Sequence, residues 1–91
     1  MNPLTRYRLS QQVVVRRESN IGALVYHRAA DRLLMLSSPI LADILLRLDG
    51  CRPLGETLDA LIDNRSLSRT SLPSLVEALA RLKEQGVVHE L

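Results

Sequence analysis

The spacing of apolar and polar positions divides the chain near residue 37. Before it, apolar residues come in short runs that read with a period of two; after it they recur every three or four positions. Gln11–Arg17 (QQVVVRR) is short and β-branched, which predicts a strand with Val13 and Val15 on one face and Val14 and Arg16 on the other. Arg17-Glu18-Ser19-Asn20 supplies turn chemistry to end it. Ile21–Arg28 predicts a second strand, with Ile21, Ala23, Val25 and His27 facing one way and Gly22, Leu24, Tyr26 and Arg28 the other. A glycine inside a strand marks a bulge or a close backbone approach, so Gly22 is singled out. Ala29-Ala30-Asp31 is a short hairpin connection into a third strand, Arg32–Leu36 (RLLML). The three form an antiparallel meander that is apolar on both faces, although a half-buried sheet needs only one. Residues 1–10 show no clear period; the alternation of Tyr7 and Leu9 predicts an arm or a short extended piece.

Three helices are predicted beyond the meander. Ser38 before Pro39 is a capped helix start, and Ile40, Leu41, Ile44, Leu45 and Leu48 make one stripe over 38–49, with Gly50 as the stop. Cys51-Arg52-Pro53 reads as a linker. Leu54, Leu58, Leu61 and Ile62 line a second helix over 54–64, whose wet face carries Glu56, Asp59 and Asp63. Asn64–Thr70 is a polar loop under which Leu67 can tuck. Ser71 is placed as the cap of a third helix over 71–85, with a stripe of Leu72, Leu75, Val76, Leu79 and Leu82 and a stop at Gly86. Val87–Leu91 is a short extended tail. The expected fold is α+β: a three-stranded antiparallel sheet followed by three helices, winged-helix-like, in one domain of residues 1–91.

Composition narrows the core. The 91 residues contain two tyrosines and no Phe or Trp, so Leu, Ile, Val and Ala must supply the interior. The net charge of +2 is uninformative, but its distribution is not: residues 1–37 hold six arginines against two acids, and residues 38–91 six bases against eight acids. A basic first half fits an acidic partner, and equally fits solvated arginines on exposed strand faces. Cys51 is alone, which excludes an internal disulfide and fits a reducing compartment. No signal-like segment opens the chain and no apolar run reaches about 18 residues, so a cytoplasmic protein with no membrane partner is expected.

Reactive chemistry is sparse, and no catalytic residue, metal site or cofactor site is assigned. His27 and His89 lie far apart and in no ligand spacing; His27, among apolar strand residues, reads as structural. Cys51 has Arg52 beside it but no identifiable base. Glu56, Asp59 and Asp63 read as solubilising charges. A DNA-reading role is poorly supported, because the early positions of the third helix (Leu72, Pro73, Ser74, Glu77) offer no base-reading side chain and phosphate binding needs a cationic surface.

Peptide capture fits better. Arg32, Leu33, Leu34, Met35 and Leu36 form an edge with no Pro or Lys to block pairing, and a bare edge invites an added strand. About five new backbone hydrogen bonds contribute roughly 0.5–1.5 kcal/mol each, against roughly 1–2 kcal/mol per residue for ordering the peptide. Those terms nearly cancel, so micromolar affinity, about −8 kcal/mol, must come from side chains entering apolar pockets. A groove between the third strand and the third helix would provide them, walled by Leu34, Leu36, Val76, Leu79 and the stem of Lys83. Val76 and Leu79 fit a core role as well as a pocket wall.

The segment IGALVYHRAADRLLMLSSPILADIL (residues 21–45) resembles the mycofactocin peptide chaperone family, as do Tyr7-Arg8-Leu9, Val13–Arg17 and the closing LKEQGVV of residues 82–88. The order of three strands and three helices is similar to that of PqqD-like precursor-peptide recognition elements. The resemblance implies a non-enzymatic domain that binds the leader of a ribosomally made precursor peptide. The domain presents that peptide to a radical S-adenosylmethionine maturase. By carry-over, Arg32–Leu36 is the leader's edge, with Val76, Leu79 and Lys83 on the other wall. Two other readings remain open: a winged-helix DNA-binding regulator, and an interaction protein that homodimerises through its edge strand.

Overall fold

The computed structural model describes residues 1–18 and 21–91. Its strands are β1 (Arg6–Leu9), β2 (Val13–Glu18), β3 (Gly22–His27), β4 (Arg32–Leu36), β5 (Asp49–Pro53) and β6 (Val88–Glu90), and its helices are α1 (Pro39–Arg47), α2 (Leu54–Asp63) and α3 (Leu72–Glu84). The expected meander exists: β2, β3 and β4 pair antiparallel in that order, with Val25 opposite both Val15 and Leu34. The turn expected at Ser19 and Asn20 lies outside the described residues.

The expectation of a single sheet is corrected. The described residues form two three-stranded antiparallel sheets, the second in the order β5-β1-β6. The predicted arm is its central strand. Tyr7 points inward and is fully buried, while Arg6 and Arg8 point out. The predicted linker Cys51–Pro53 belongs to β5, and the tail supplies β6, with Tyr7, Arg8 and Leu9 opposite Glu90, His89 and Val88. Bonds from Leu54 N–H to Thr5 O (2.9 Å), Gly55 N–H to Pro3 O (2.8 Å) and Leu91 N–H to Arg6 O (3.0 Å) extend this closure of the two termini. None of these strands carries a strand-like pattern alone. Each is extended because its backbone groups find partners in the others.

Ser38 caps α1 as expected, its hydroxyl accepting from Leu41 N–H at 3.2 Å, with Pro39 in the first turn. The helix stops at Arg47, two residues short of the expected end, because Leu48 is already extended towards β5. Gly50 does have a positive φ of 76°, but inside β5, where the pairing with β1 shifts register between Arg6 and Arg8. Ser71 does not cap α3: it is helical and its side chain makes no capping bond, while Ser68 caps a 3-10 turn at Arg69–Ser71 by accepting from Thr70 N–H. Gly86, at φ 80°, ends α3 as expected, and Leu67 is buried beneath its loop.

The core joins Tyr7 and Val25 to Ile44, Leu45, Leu54, Leu61, Leu79, Val87 and Val88. Helix α1 packs on the face of the β2-β3-β4 sheet that carries Ala23 and Val25, and an ion pair between Arg17 and Asp43 ties β2 to it. Burying each large aliphatic side chain contributes about 1.5–3 kcal/mol, and these contacts fix the position of β4 relative to α3.

Candidate functional site

β4 is one edge of its sheet. Its side chains alternate: Leu34 and Leu36 are half-buried, and Arg32, Leu33 and Met35 are exposed. Beside it runs α3, and a groove of about 220 Å³ lies between them. From β4 it is lined by Leu34, Met35 and Leu36; from α3 by Ala78, Arg81, Leu82 and Gln85; and from α1 by Leu41. An open strand edge therefore borders an apolar groove, which is what strand addition requires.

Gly22 sets this geometry. With φ at 149°, it pairs with Glu18, and a Cβ built on it would stand 1.7 Å from Leu36 O. The expected close backbone approach is thus between the start of β3 and the end of β4. At the other end, β3 stops at His27, so the connection is the four residues Arg28–Asp31, with Asp31 left-handed at φ 49°. His27 serves this turn, its Nδ1 accepting from Ala30 N–H at 3.3 Å. The Tyr26 hydroxyl donates to Asp31 Oδ1 at 2.8 Å. That bond holds the phenol pKa above its ordinary value; burial adds to the rise and Arg28 opposes it.

The structure does not bring Val76, Leu79 and Lys83 to the groove. At 3.6 residues per turn the centre of this set lies roughly 140° round α3 from the centre of the stripe formed by Ala78, Arg81, Leu82 and Gln85. Leu79 is fully buried in the core and Val76 packs against it. Lys83 Nζ lies 3.4 Å from Glu90 on β6 and 5.9 Å from the centre of the Tyr7 ring. Helix phase explains the difference. α3 packs against the closed termini with one face and borders β4 with another, and of the predicted Leu/Val stripe Leu82 alone lines the groove while also packing into the core. The groove face was signalled by the small Ala78 one turn before Leu82.

Arg81 lines the groove and is held by Glu77 at 2.7 Å; Arg32 is exposed at the start of β4, on the same side of the strand as Leu34. Glu56, Asp59 and Asp63 instead line a wider hollow of about 570 Å³ on the far side of α2, with Pro3 and Leu4. It touches the edge strand β5 only at its last residue, Pro53. Cys51 is exposed in β5. Among the described residues no group of His, Cys, Asp and Glu is arranged to hold a metal ion, and no helix is long and apolar enough to cross a membrane.

Residues 6–89 match a family model described as the peptide chaperone MftB family. No curated protein and no solved structure matches the chain.

Proposed function

The chain belongs to the peptide chaperone MftB family, and from that premise we propose that it captures a precursor-peptide leader as a strand added to β4. The observation that carries this reading is the apolar groove between the β4 edge and α3. An extended peptide beside Arg32–Leu36 completes the open ladder, and its alternate side chains enter the groove over Leu34 and Leu36. Leu33 and Met35 point to the other face of the sheet. Ala78, Arg81, Leu82 and Gln85 form the opposite wall. Val76, Leu79 and Lys83 act one step back, by holding α3 against β6 and the core. Arg32 and Arg81 favour a leader with carboxylates near the groove.

In this reading residues 1–91 are one peptide-recognition domain of winged-helix, PqqD-like type working in the cytoplasm. It has no catalytic role of its own and hands the precursor to a radical S-adenosylmethionine maturase in mycofactocin biosynthesis. The hydrogen bonds of an added strand roughly offset the ordering of the peptide, so the groove contacts and charge decide affinity. The test is titration of the synthetic leader from the neighbouring precursor gene, followed by calorimetry and amide NMR. One-to-one binding with shifts confined to residues 32–36 and 78–85 is expected. Absence of heat and of amide shifts in β4 sinks the proposal.

A further inference from the structure

Among the described residues the most exposed large apolar side chain is Leu4, at 82%. Its backbone is tightly held. Leu4 lies on the turn Asn2–Thr5, where Thr5 N–H donates to Asn2 O at 3.1 Å and Leu4 N–H to Asn2 Oδ1 at 2.9 Å. Asn2 N–H donates to the hydroxyl of buried Tyr7 at 3.1 Å. The bonds from Gly55 N–H to Pro3 O and from Leu54 N–H to Thr5 O fix the same turn on the start of α2. Gly55 permits the close approach, since a Cβ there would stand 3.1 Å from Pro3 Cβ and 3.2 Å from Pro3 O. A firmly anchored turn therefore presents a leucine to water, where burying it would contribute about 1.5–3 kcal/mol. A side chain already held in place costs little ordering when it enters a contact.

Leu4 stands between two hollows and lines both. The first is the hollow of about 570 Å³ on α2, rimmed by Glu56, Asp59 and Asp63 and lined by no base. The second, of about 430 Å³, is lined by Thr5, Arg6, Gly50 and Leu91, with no acidic side chain. Arg8 projects from the same face of β1 as Arg6 and lies beside Gly50. None of these five charged side chains has an ion-pair partner among the described residues. The surface is thus anionic on one side of Leu4 and cationic on the other. The spacings match as well: Asp59 and Asp63 are about 6 Å apart along α2, and Arg6 and Arg8 about 7 Å apart along β1.

Such a patch is complementary to itself. A two-fold axis in the plane of the patch, passing through Leu4, lays the acidic side of each copy on the arginine side of the other and Leu4 on Leu4. That is the isologous contact of a closed dimer. Area sets its strength. Eight residues line the first hollow and five the second, with Leu4 common to both, so about a dozen take part, roughly half of the 20–30 a side in a standard interface. The contact belongs to the weak, transient class, and its exposed charges make it sensitive to salt. We propose that the Leu4 turn, with the acidic face of α2 on one side and Arg6 and Arg8 on the other, is a contact through which two copies of this chain form a symmetric, short-lived dimer. The proposal does not rest on strand addition. The patch shares no residue with the groove between β4 and α3, so each copy keeps its own groove open.

The test is sedimentation equilibrium of the full chain at low salt, from about 10 μM to about 1 mM. The average mass of the wild type should rise towards that of two chains, and salt at about 0.5 M should weaken the association several-fold. Leu4→Ser should weaken it by roughly tenfold or more, as for a central anchor. Arg6→Glu with Arg8→Glu should abolish it, because like charges then face each other. Adding Asp59→Arg and Asp63→Arg to that pair restores the original net charge and reverses both sides of the patch, so association should return to within about threefold of wild type. Thermal melts keep the comparison to folded protein, since exposed substitutions of this kind usually change stability by no more than about 0.5 kcal/mol. A wild type that stays monomeric throughout the range overturns the proposal. So does association that Leu4→Ser leaves unchanged, or a fourfold variant that remains as monomeric as the double one.

Discussion

Replacing Gly22 with alanine tests how the β4 edge is held in place. The added Cβ would stand 1.7 Å from Leu36 O and 2.8 Å from Leu36 C, where non-bonded heavy atoms prefer about 3.5–4.0 Å. Both obstacles are backbone atoms, so no rotamer change relieves the clash. The end of β4 must move by more than an ångström, and the pairing of Ala23 with Leu36 is lost. Holding a non-glycine residue at φ 149° adds roughly 1–3 kcal/mol, and each lost ladder bond roughly 0.5–1.5 kcal/mol. Together these give a destabilisation of about 2–4 kcal/mol, a large share of the roughly 5–15 kcal/mol that holds a domain folded. At 4–8 °C per kcal/mol for a domain of this size, the midpoint falls by roughly 10–30 °C. Urea titration gives the free energy, and hydrogen exchange at Leu36 locates it. Leader affinity should fall as well, because the displaced residues are the end of the receiving strand. A change below about 0.5 kcal/mol, with Leu36 protection unaltered, would refute the claim that Gly22 permits this approach.

Three further outcomes follow from the packing and charge. Leu79→Ala should destabilise the fold by about 2–5 kcal/mol, as for a buried leucine, yet leave leader affinity of the folded fraction unchanged; loss of binding without loss of stability in calorimetry would return Leu79 to the groove. Ala78→Phe fills the 220 Å³ groove from its wall and should abolish leader binding with little change in melting temperature; normal binding would count against that groove. Asp49 accepts from Cys51 N–H at 2.9 Å, which holds its pKa below the usual 3.8, with desolvation opposing and the Arg52 N–H and guanidinium assisting. A carboxylate depressed in the fold stabilises it above the unfolded value and loses that contribution as pH falls through the folded value. The wild type should therefore lose stability relative to Asp49→Asn on acidification below about pH 4, and parallel urea midpoints from pH 7 to 3 would contradict this.

The meander was legible because its information is local. Val13–Val15, Gly22–His27 and Arg32–Leu36 each carry β-branched or apolar side chains with the right period, and the four-residue turn Arg28–Asp31 goes with the register that places Leu34 opposite Val25. The second sheet was not legible. Asp49-Gly50-Cys51-Arg52-Pro53 contains a positive-φ glycine and a proline, and β6 is only three residues long. These segments are strands because β1 lies between them, a pairing across some forty residues on one side and eighty on the other.

The edge of the candidate site and its groove differ in the same way. Sequence alone determined that Arg32–Leu36 is extended, has two apolar faces and lacks the residues that close an edge. It also marked Gly22 as a bulge or a close approach, between which the contact with Leu36 O decides, and showed that the first half of the chain is cationic. Only the tertiary structure decided which side of α3 meets β4. An amphipathic stripe says that a helix buries one face, but not which neighbour borders the adjacent face. Here the Leu79 face is taken by the core and the closed termini, and Ala78, Arg81 and Gln85 border the groove together with the core residue Leu82. The open outer face of the sheet was likewise fixed by packing: α1 covers the Ala23–Val25 side, and no described element lies over Leu33, Met35 and Tyr26.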